Sequence, residues 1–475
     1  MLFNSQIFLI VFLPVAVLVF AALHRRRDHQ MLALLAASLV FYAYWYPPML
    51  GLLAGSIVAN WLIAGRIVAA PRGAVFWLSL GVIANLAMLG VFKYADFLVQ
   101  TAASLTGAEA GLFDLALPLG ISFFTFQQIA FLVDLRRGVA ERPTLFRYGL
   151  FVSFFPQLIA GPIVRWREIG RQFRDGVADA EERWAMVASG LTLLVIGLAK
   201  KVLIADEIDP AVNVIFDAAG QGEISTLAAW AGAVGFTLQI YIDFSAYSDM
   251  AIGLGRLFGI ELPRNFNRPL RSTSIIDFWR RWHITLSEFL RDYLYIPLGG
   301  GRAGITRQAM AVIVTMFLGG LWHGAAWTFV GWGCLHGIAI VAAHAGRRIG
   351  IRLPALIGWA LTLTFVIAAF VLFRAPDFQT AITVWTGMIS PVAGGLPSLQ
   401  PPGWRPLLMD SGFADTMAIL GIGLFLALIL PAGHDIAPRL TRFRLVWAVG
   451  LAVTFCLLVI RLGNQAAYEF IYFQF

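Results

Sequence analysis

Two histidines carry the strongest chemical signal. His323 stands in LGGLWHGAAW, residues 318–327. An imidazole takes and returns a proton near neutral pH. Its neighbours are apolar, and an ionisable group at membrane depth is costly enough to read as functional. On an uninterrupted helix, Gly320 and Gly319 precede it by one turn, and Ala326 and Trp327 follow by one turn. The glycines leave room for a substrate or a close helix, Trp322 stands beside the ring, and Trp327 walls the far side. Gly320 and Gly324 also form a small-xxx-small pair that lets helices touch. That packing reading explains the glycines and not the histidine. His283 is the second candidate, on the apolar side of an amphipathic helix where a tryptophan or leucine would bind a membrane better. The segment QIYIDFSAYSDMAIG, residues 239–253, places Asp243 and Asp249 beside Tyr241, Ser245, Tyr247 and Ser248. These carboxylates could orient a histidine or bind a cation, or simply cap an interface and bond helices; with Tyr247 they are also candidates to line a substrate path.

Other chemistries lack their residues. The sequence has no GxxxxGK[ST] loop, no GxSxG elbow and no H-E-x-x-H zinc motif. The His-x4-Asp pattern of soluble glycerolipid acyltransferases is also missing; His283 with Glu288 comes nearest. Two cysteines exclude a disulfide framework and a cysteine zinc cluster, and no metal is expected. His24, His29, His344 and His434 fall in basic loops or at span ends, where they are expected to be solvated.

The elements that hold these residues are membrane helices. Of 475 residues, 59% are hydrophobic and 13% charged, against about 25% charged in a soluble domain. The net charge of +8 is no nucleic-acid signal, because the basic residues sit in short loops between apolar runs. Apolar runs predict spans at 7–23, 31–47, 50–65, 75–92, 115–134, 185–203, 226–242, 326–345, 355–373, 414–432 and 444–462. Arg25–Arg27 follow the first run instead of preceding it, so no cleavable signal is expected and that helix starts outside. Loops at Arg66/Arg72, Arg136/Arg137, Arg165–Arg174, Arg347/Arg348/Arg352 and Arg439/Arg442/Arg444 are expected in the cytoplasm. The acidic stretch 206–225, with Asp206, Glu207, Asp209, Asp217 and Glu223, is expected outside. Lys93 is a mild exception. No polar linker interrupts residues 1–475, which read as a single domain.

Three segments are not plain spans. Residues 146–163 are broken by Pro156, Gly161 and Pro162, as in a re-entrant element lining a protected cavity. The helix at 307–323 is short and is expected to stop within the membrane at His323. Residues 274–293 read as one amphipathic helix at the cytoplasmic interface, opened by Ser274 and Asp277, with Trp279, Trp282, His283, Leu286, Leu290 and Tyr293 on its apolar face. Residues 256–307 hold nine Arg and no Lys. Arg280, Arg281 and Arg291 suit donor phosphates, or anchoring to anionic lipid headgroups.

Several segments in order resemble the membrane-bound O-acyltransferase (MBOAT) family. They are FNSQIFLIVFLP (3–14), LPLGISFFTFQQIAFLVD (117–134), FFPQLIAGPIVR (154–165), GLAKKVLIAD (197–206), QIYIDFSAYSDMAIG (239–253), NFNRPLRSTSIIDFWRRWHITLSEFLRDYLYIPLGG (265–300) and GLWHGAAWTFVGWG (320–333). The likeness is to the alginate O-acetyltransferase (AlgI) branch, with the D-alanyl transferase DltB as a relative. Ala246 departs from a glycine usual in the family. The resemblance implies an all-α polytopic membrane protein with the MBOAT fold. About 11 to 13 transmembrane or re-entrant helices would surround a central tunnel, beside cytoplasmic amphipathic helices. It implies an acyltransferase with His323 as catalytic histidine and His283 as the second. The acyl group would come from a cytoplasmic thioester, acetyl-CoA, used as donor with no permanently bound cofactor. It would serve O-acetylation of an exported polysaccharide such as alginate, completed by periplasmic acetyltransferases of the SGNH type. The location would be a bacterial inner membrane. The ending FIYFQF, residues 470–475, resembles the F-x-Y motif on the small partner peptide of D-alanylation systems. It makes Tyr472 an acyl-relay candidate, although an aromatic interfacial belt would read the same way. A transporter without chemistry would show inverted repeats, which the sequence lacks. A scaffold that only recruits soluble transferases would keep the motifs without needing the histidine.

Overall fold

The computed structural model describes residues 1–177, 179–222, 224–302, 304–395, 412–441, 444–463 and 469–471. Among the described residues the regular structure is helical throughout. Eight helices are long and apolar enough to cross a membrane, or nine if the bent pair Asp415–Ile429 and Gly433–Leu440 makes one span. Several predicted spans change length. The run predicted at 185–203 extends over Ala180–Gly220, 41 residues, and absorbs the acidic stretch. Asp206 and Glu207 are therefore buried in a helix and do not form a solvated outer loop; Glu223 lies outside the described residues. The run predicted at 226–242 continues to Leu257. The run at 115–134 starts late, because Gly120 adopts φ +71° and the helix begins at Ile121. Ile7–Ala22 is helical and apolar but short.

The fold separates into two compact units, each assembled from distant stretches: Met1–Ile196 with Tyr247–Arg264 and Ala437–Glu469, and Gly197–Ala246 with Asn265–Ile436 and Phe470–Phe475. The first unit is centred on aromatic rings. Phe3, Phe8 and Phe41 touch one another, and Phe155 touches Phe8 and Phe41, at ring-centroid distances of 5.0–6.1 Å. Asn60 and Asn85 are buried on neighbouring helices and bond each other at 2.7 Å, which satisfies two amides that apolar surroundings could not. The predicted break at 146–163 is present. Helices Leu145–Ser153 and Phe155–Leu158 meet at Phe154, and the stretch is almost wholly buried in protein.

The second unit holds both candidate histidines. Its framework is a hairpin of Ile305–His323 and Trp327–Arg348. A Cβ at Gly320 would collide with the Phe329 carbonyl oxygen, and one at Gly333 with the Met316 carbonyl oxygen. Only glycine permits that closeness, the usual device where lipid offers no hydrophobic drive for helix pairing. The predicted 274–293 helix does not form as one piece. Ile275–Trp279 and Ile284–Leu290 are separate helices joined through His283, whose φ is +41°. A Ser274 side-chain cap on the Asp277 amide does start the first, as expected. Trp282 and Leu286 are buried in the protein core and so are not laid on a membrane surface.

Candidate active site

The helix carrying His323 ends on that residue, because Gly324 is fully extended (φ −156°, ψ 148°) and a Cβ there would strike the Phe329 ring. The imidazole thus sits at a hairpin corner with 4% exposure. The one-turn spacing to Trp327 requires a continuing helix, which stops at His323; Trp327 opens the next helix and is half-exposed. Trp322, Trp332 and Phe373 enclose His323 instead, at ring-centroid distances of 5.0, 5.2 and 5.2 Å. Gly320 serves the helix hairpin and lines no open space.

His283 is fully buried, 6.3 Å from the His323 ring and 6.1 Å from Trp322 by centroid. Its left-handed backbone is strained for a residue with a Cβ, a feature that concentrates at functional sites. Asn265 Oδ1 lies 3.0 Å from His283 Nδ1 and also accepts from the Thr285 hydroxyl at 2.9 Å and the Thr285 backbone N–H at 3.4 Å. A backbone N–H can only donate, so the amide oxygen faces these groups. His283 Nδ1 therefore carries a proton, and Nε2 of the neutral ring is the basic atom. Burial pushes this imidazole down from 6.5 to about 3, so it is neutral at ordinary pH. An accepting Nε2 is suited to an O–H or N–H, not to a carbonyl oxygen.

The acidic segment is divided between the units. Asp243 lies in the second, while Tyr247 and Asp249 lie in the first. Tyr247 stacks on Phe3 at 4.8 Å. Asp243 makes a buried ion pair with Lys201 at 2.8 Å and accepts the Ile471 backbone N–H at 2.8 Å. The residue found orienting a histidine is an asparagine. Of the arginines, Arg281 pairs with Asp277 and Arg291 with Asp292, and Arg280 is exposed. A further basic cleft of about 520 Å³ in the first unit is lined by Arg142, Arg147, Arg167, Arg171 and Arg174. His434 is buried beside Asp435, contrary to the expected solvation. Tyr472 lies outside the described residues.

Sequence reading missed Asn265, Lys201 and His336. The first two lie in motifs already quoted, where nothing in the spacing links Asn265 to His283 eighteen positions on. His336 follows Trp332 by one turn, rings 4.7 Å apart, and its Nδ1 accepts from Trp279 Nε1 at 3.2 Å. That spacing was a legible signal.

Paired, shielded imidazoles in a helical multi-pass membrane protein suit proton transfer at a reacting hydroxyl away from bulk water. The MBOAT, membrane-bound O-acyltransferase, family model matches residues 132–375. The Helicobacter pylori protein named "Peptidoglycan O-acetyltransferase" is 42% identical over 82% of this chain and 80% of its own. The Azotobacter vinelandii protein named "Probable alginate O-acetylase AlgI" is 40% identical over 82% and 78%. A Pseudomonas putida protein of that same name is 35% identical over 100% of both chains. The chain belongs to the membrane-bound O-acyltransferase family and is a multi-pass membrane acyltransferase.

Proposed function

We propose that this acyltransferase takes an acetyl group from a cytoplasmic thioester, acetyl-CoA, and passes it across the inner membrane for O-acetylation of an exported polysaccharide. The observation that supports this most is the enclosed His283–His323 pair, with His283 fixed in one tautomer by Asn265. His323 is the general base. It removes the proton of the acceptor hydroxyl as that oxygen attacks the thioester carbonyl carbon. The C–S bond breaks, the C–O bond forms, and the imidazolium returns the proton to the leaving thiolate. General-base help of this kind is worth about 10²–10⁴-fold. His283, whose Nε2 is the accepting atom, orients the donor or the acceptor by holding an N–H or O–H. Arg280 and the five-arginine cleft are the surfaces suited to donor phosphates.

The hydroxyl that first receives the acetyl group is assigned to Tyr472, by resemblance of FIYFQF to the carrier motif. Periplasmic SGNH-type proteins then complete transfer to the polymer, of which alginate and peptidoglycan fit the relatives' names. Membranes fed labelled acetyl-CoA test this relay. An acetyl ester on the peptide containing Tyr472, absent in Tyr472→Phe, is the expected result. A Tyr472→Phe protein that acetylates its polymer normally removes the relay.

A further inference from the structure

Three charges are buried together away from the histidines. Lys201 is 3% exposed and contacts Asp206 at 2.7 Å and Asp243 at 2.8 Å. Lys201 and Asp206 are five positions apart, a spacing that an ordinary α-helix splays around its axis. A π-helical turn over Lys201–Ala205 draws them together. Pro210 follows within the next helix and lacks the N–H that would bond the Asp206 carbonyl, which eases this irregularity.

Two further contacts to the cluster come from the last described stretch of the chain. The Ile471 backbone N–H donates to Asp243 Oδ2 at 2.8 Å. Lys201 Nζ lies 4.7 Å from the centre of the Phe470 ring, in cation–π range. Phe470 and Ile471 are 1% and 5% exposed. We propose that Lys201, Asp206 and Asp243 form a seat for the segment around Phe470 and Ile471, and that Asp243 is a positioning residue for acyl transfer because it fixes that segment by its main chain.

Stability alone does not call for such a cluster. A buried ion group is commonly no better than apolar residues of the same volume, and its best-attested use is to fix one register. The contacts are suited to that use. A carboxylate that accepts a main-chain N–H sets where the chain lies, whatever the side chain. The Phe470 ring against Lys201 then sets which residue occupies the site. Without the segment, Asp243 loses a donor and Lys201 loses a ring face. The seat is therefore complete only when occupied. The segment leads directly into Tyr472, so the proposal rests on the acyl-transfer reading for its activity readout, while its structural readout is independent.

The test uses the full chain in nanodiscs. Nonsense suppression replaces Ile471 with its α-hydroxy acid, which turns one amide into an ester, removing the N–H and leaving every side chain in place. Hydrogen exchange is followed by mass spectrometry on the peptide covering residues 464–475. Loss of a hydrogen bond to a carboxylate should speed exchange of its remaining amides on the order of 10- to 100-fold. Exchange in the helix Thr226–Leu257 should not change. Acetyl transfer should lose about tenfold or more in kcat, with KM for acetyl-CoA unchanged. Asp243→Asn should move both readouts in the same direction. Wild-type exchange in the ester variant overturns the seat, and faster exchange with unchanged kcat overturns the positioning role. If the unaltered protein transfers no acetyl group, the proposed function fails while the exchange result still decides the seat.

Discussion

Asn265 offers the sharpest separation of structure from chemistry. Its Oδ1 receives the His283 Nδ1 proton, the Thr285 hydroxyl and the Thr285 backbone N–H. Asn265→Ala leaves three buried donors without that acceptor. Each stranded donor costs about 1–3 kcal/mol, so the loss of stability should be at least about 3 kcal/mol. The same change frees His283 to place its proton on either nitrogen, so kcat should fall by tenfold or more beyond any loss of folded protein. A triad histidine held in the wrong tautomer loses about 10⁴-fold, which sets the upper end. Asn265→Asp is the informative partner. Its carboxylate accepts the same three donors, so the tautomer is kept and kcat should stay several-fold above that of Asn265→Ala. A negative neighbour also favours the charged ring and raises its pKa, so the acid limb of the pH–rate profile should move up. The assays are thermal unfolding in nanodiscs and acetyl transfer from labelled acetyl-CoA across pH 5–8. Equal activity of the alanine and aspartate variants would refute the tautomer argument. Stability loss below about 1 kcal/mol in Asn265→Ala would refute the hydrogen-bond count.

Gly320→Ala should destabilise by about 1–3 kcal/mol, because its Cβ meets the Phe329 carbonyl of the paired helix; denaturation of the purified protein checks this. Trp332→Ala should lower kcat at least tenfold by opening the wall beside His323, whereas Trp327→Ala should stay within about threefold, since Trp327 is half-exposed; parallel transfer assays rank the two. The pH dependence of stability follows from His283, whose folded ring titrates about 3 against 6.5 unfolded. The unfolded chain binds the extra proton between those values. The contribution is therefore complete above pH 6.5 and is lost as pH falls toward 3, the loss reaching about 2 kcal/mol by pH 5. His283→Gln should flatten that part of the unfolding-versus-pH curve.

The class of protein was legible in the sequence, and the two histidines drew attention there, because both signals are local. Long apolar runs survive any packing arrangement, and a lone imidazole among glycine and tryptophan stands out against them. What it withheld depends on breaks and on distance. Continuing a helix through Gly324 sets Trp327 one turn from His323; the extended backbone there ends that helical spacing and brings Trp332 in from the other arm of the hairpin. The pattern of residues 274–293 fits an amphipathic helix, yet the left-handed turn at His283 breaks it and turns the ring into the core. The apolar face was right in composition and wrong in destination, since periodicity cannot tell a lipid surface from a protein interior. Asp243 read as a residue that could orient a histidine, because nothing in its neighbourhood names Lys201 or Ile471 as its partners.

The proposed reaction turns on His323 moving the proton of the hydroxyl that receives the acetyl group. Acetyl transfer by reconstituted His323→Ala protein, compared with the unaltered chain at matched folded protein, tests it most directly. The expected loss is about 10²–10⁴-fold in kcat, with acetyl-CoA binding and unfolding temperature preserved. Transfer at the unaltered rate would contradict it.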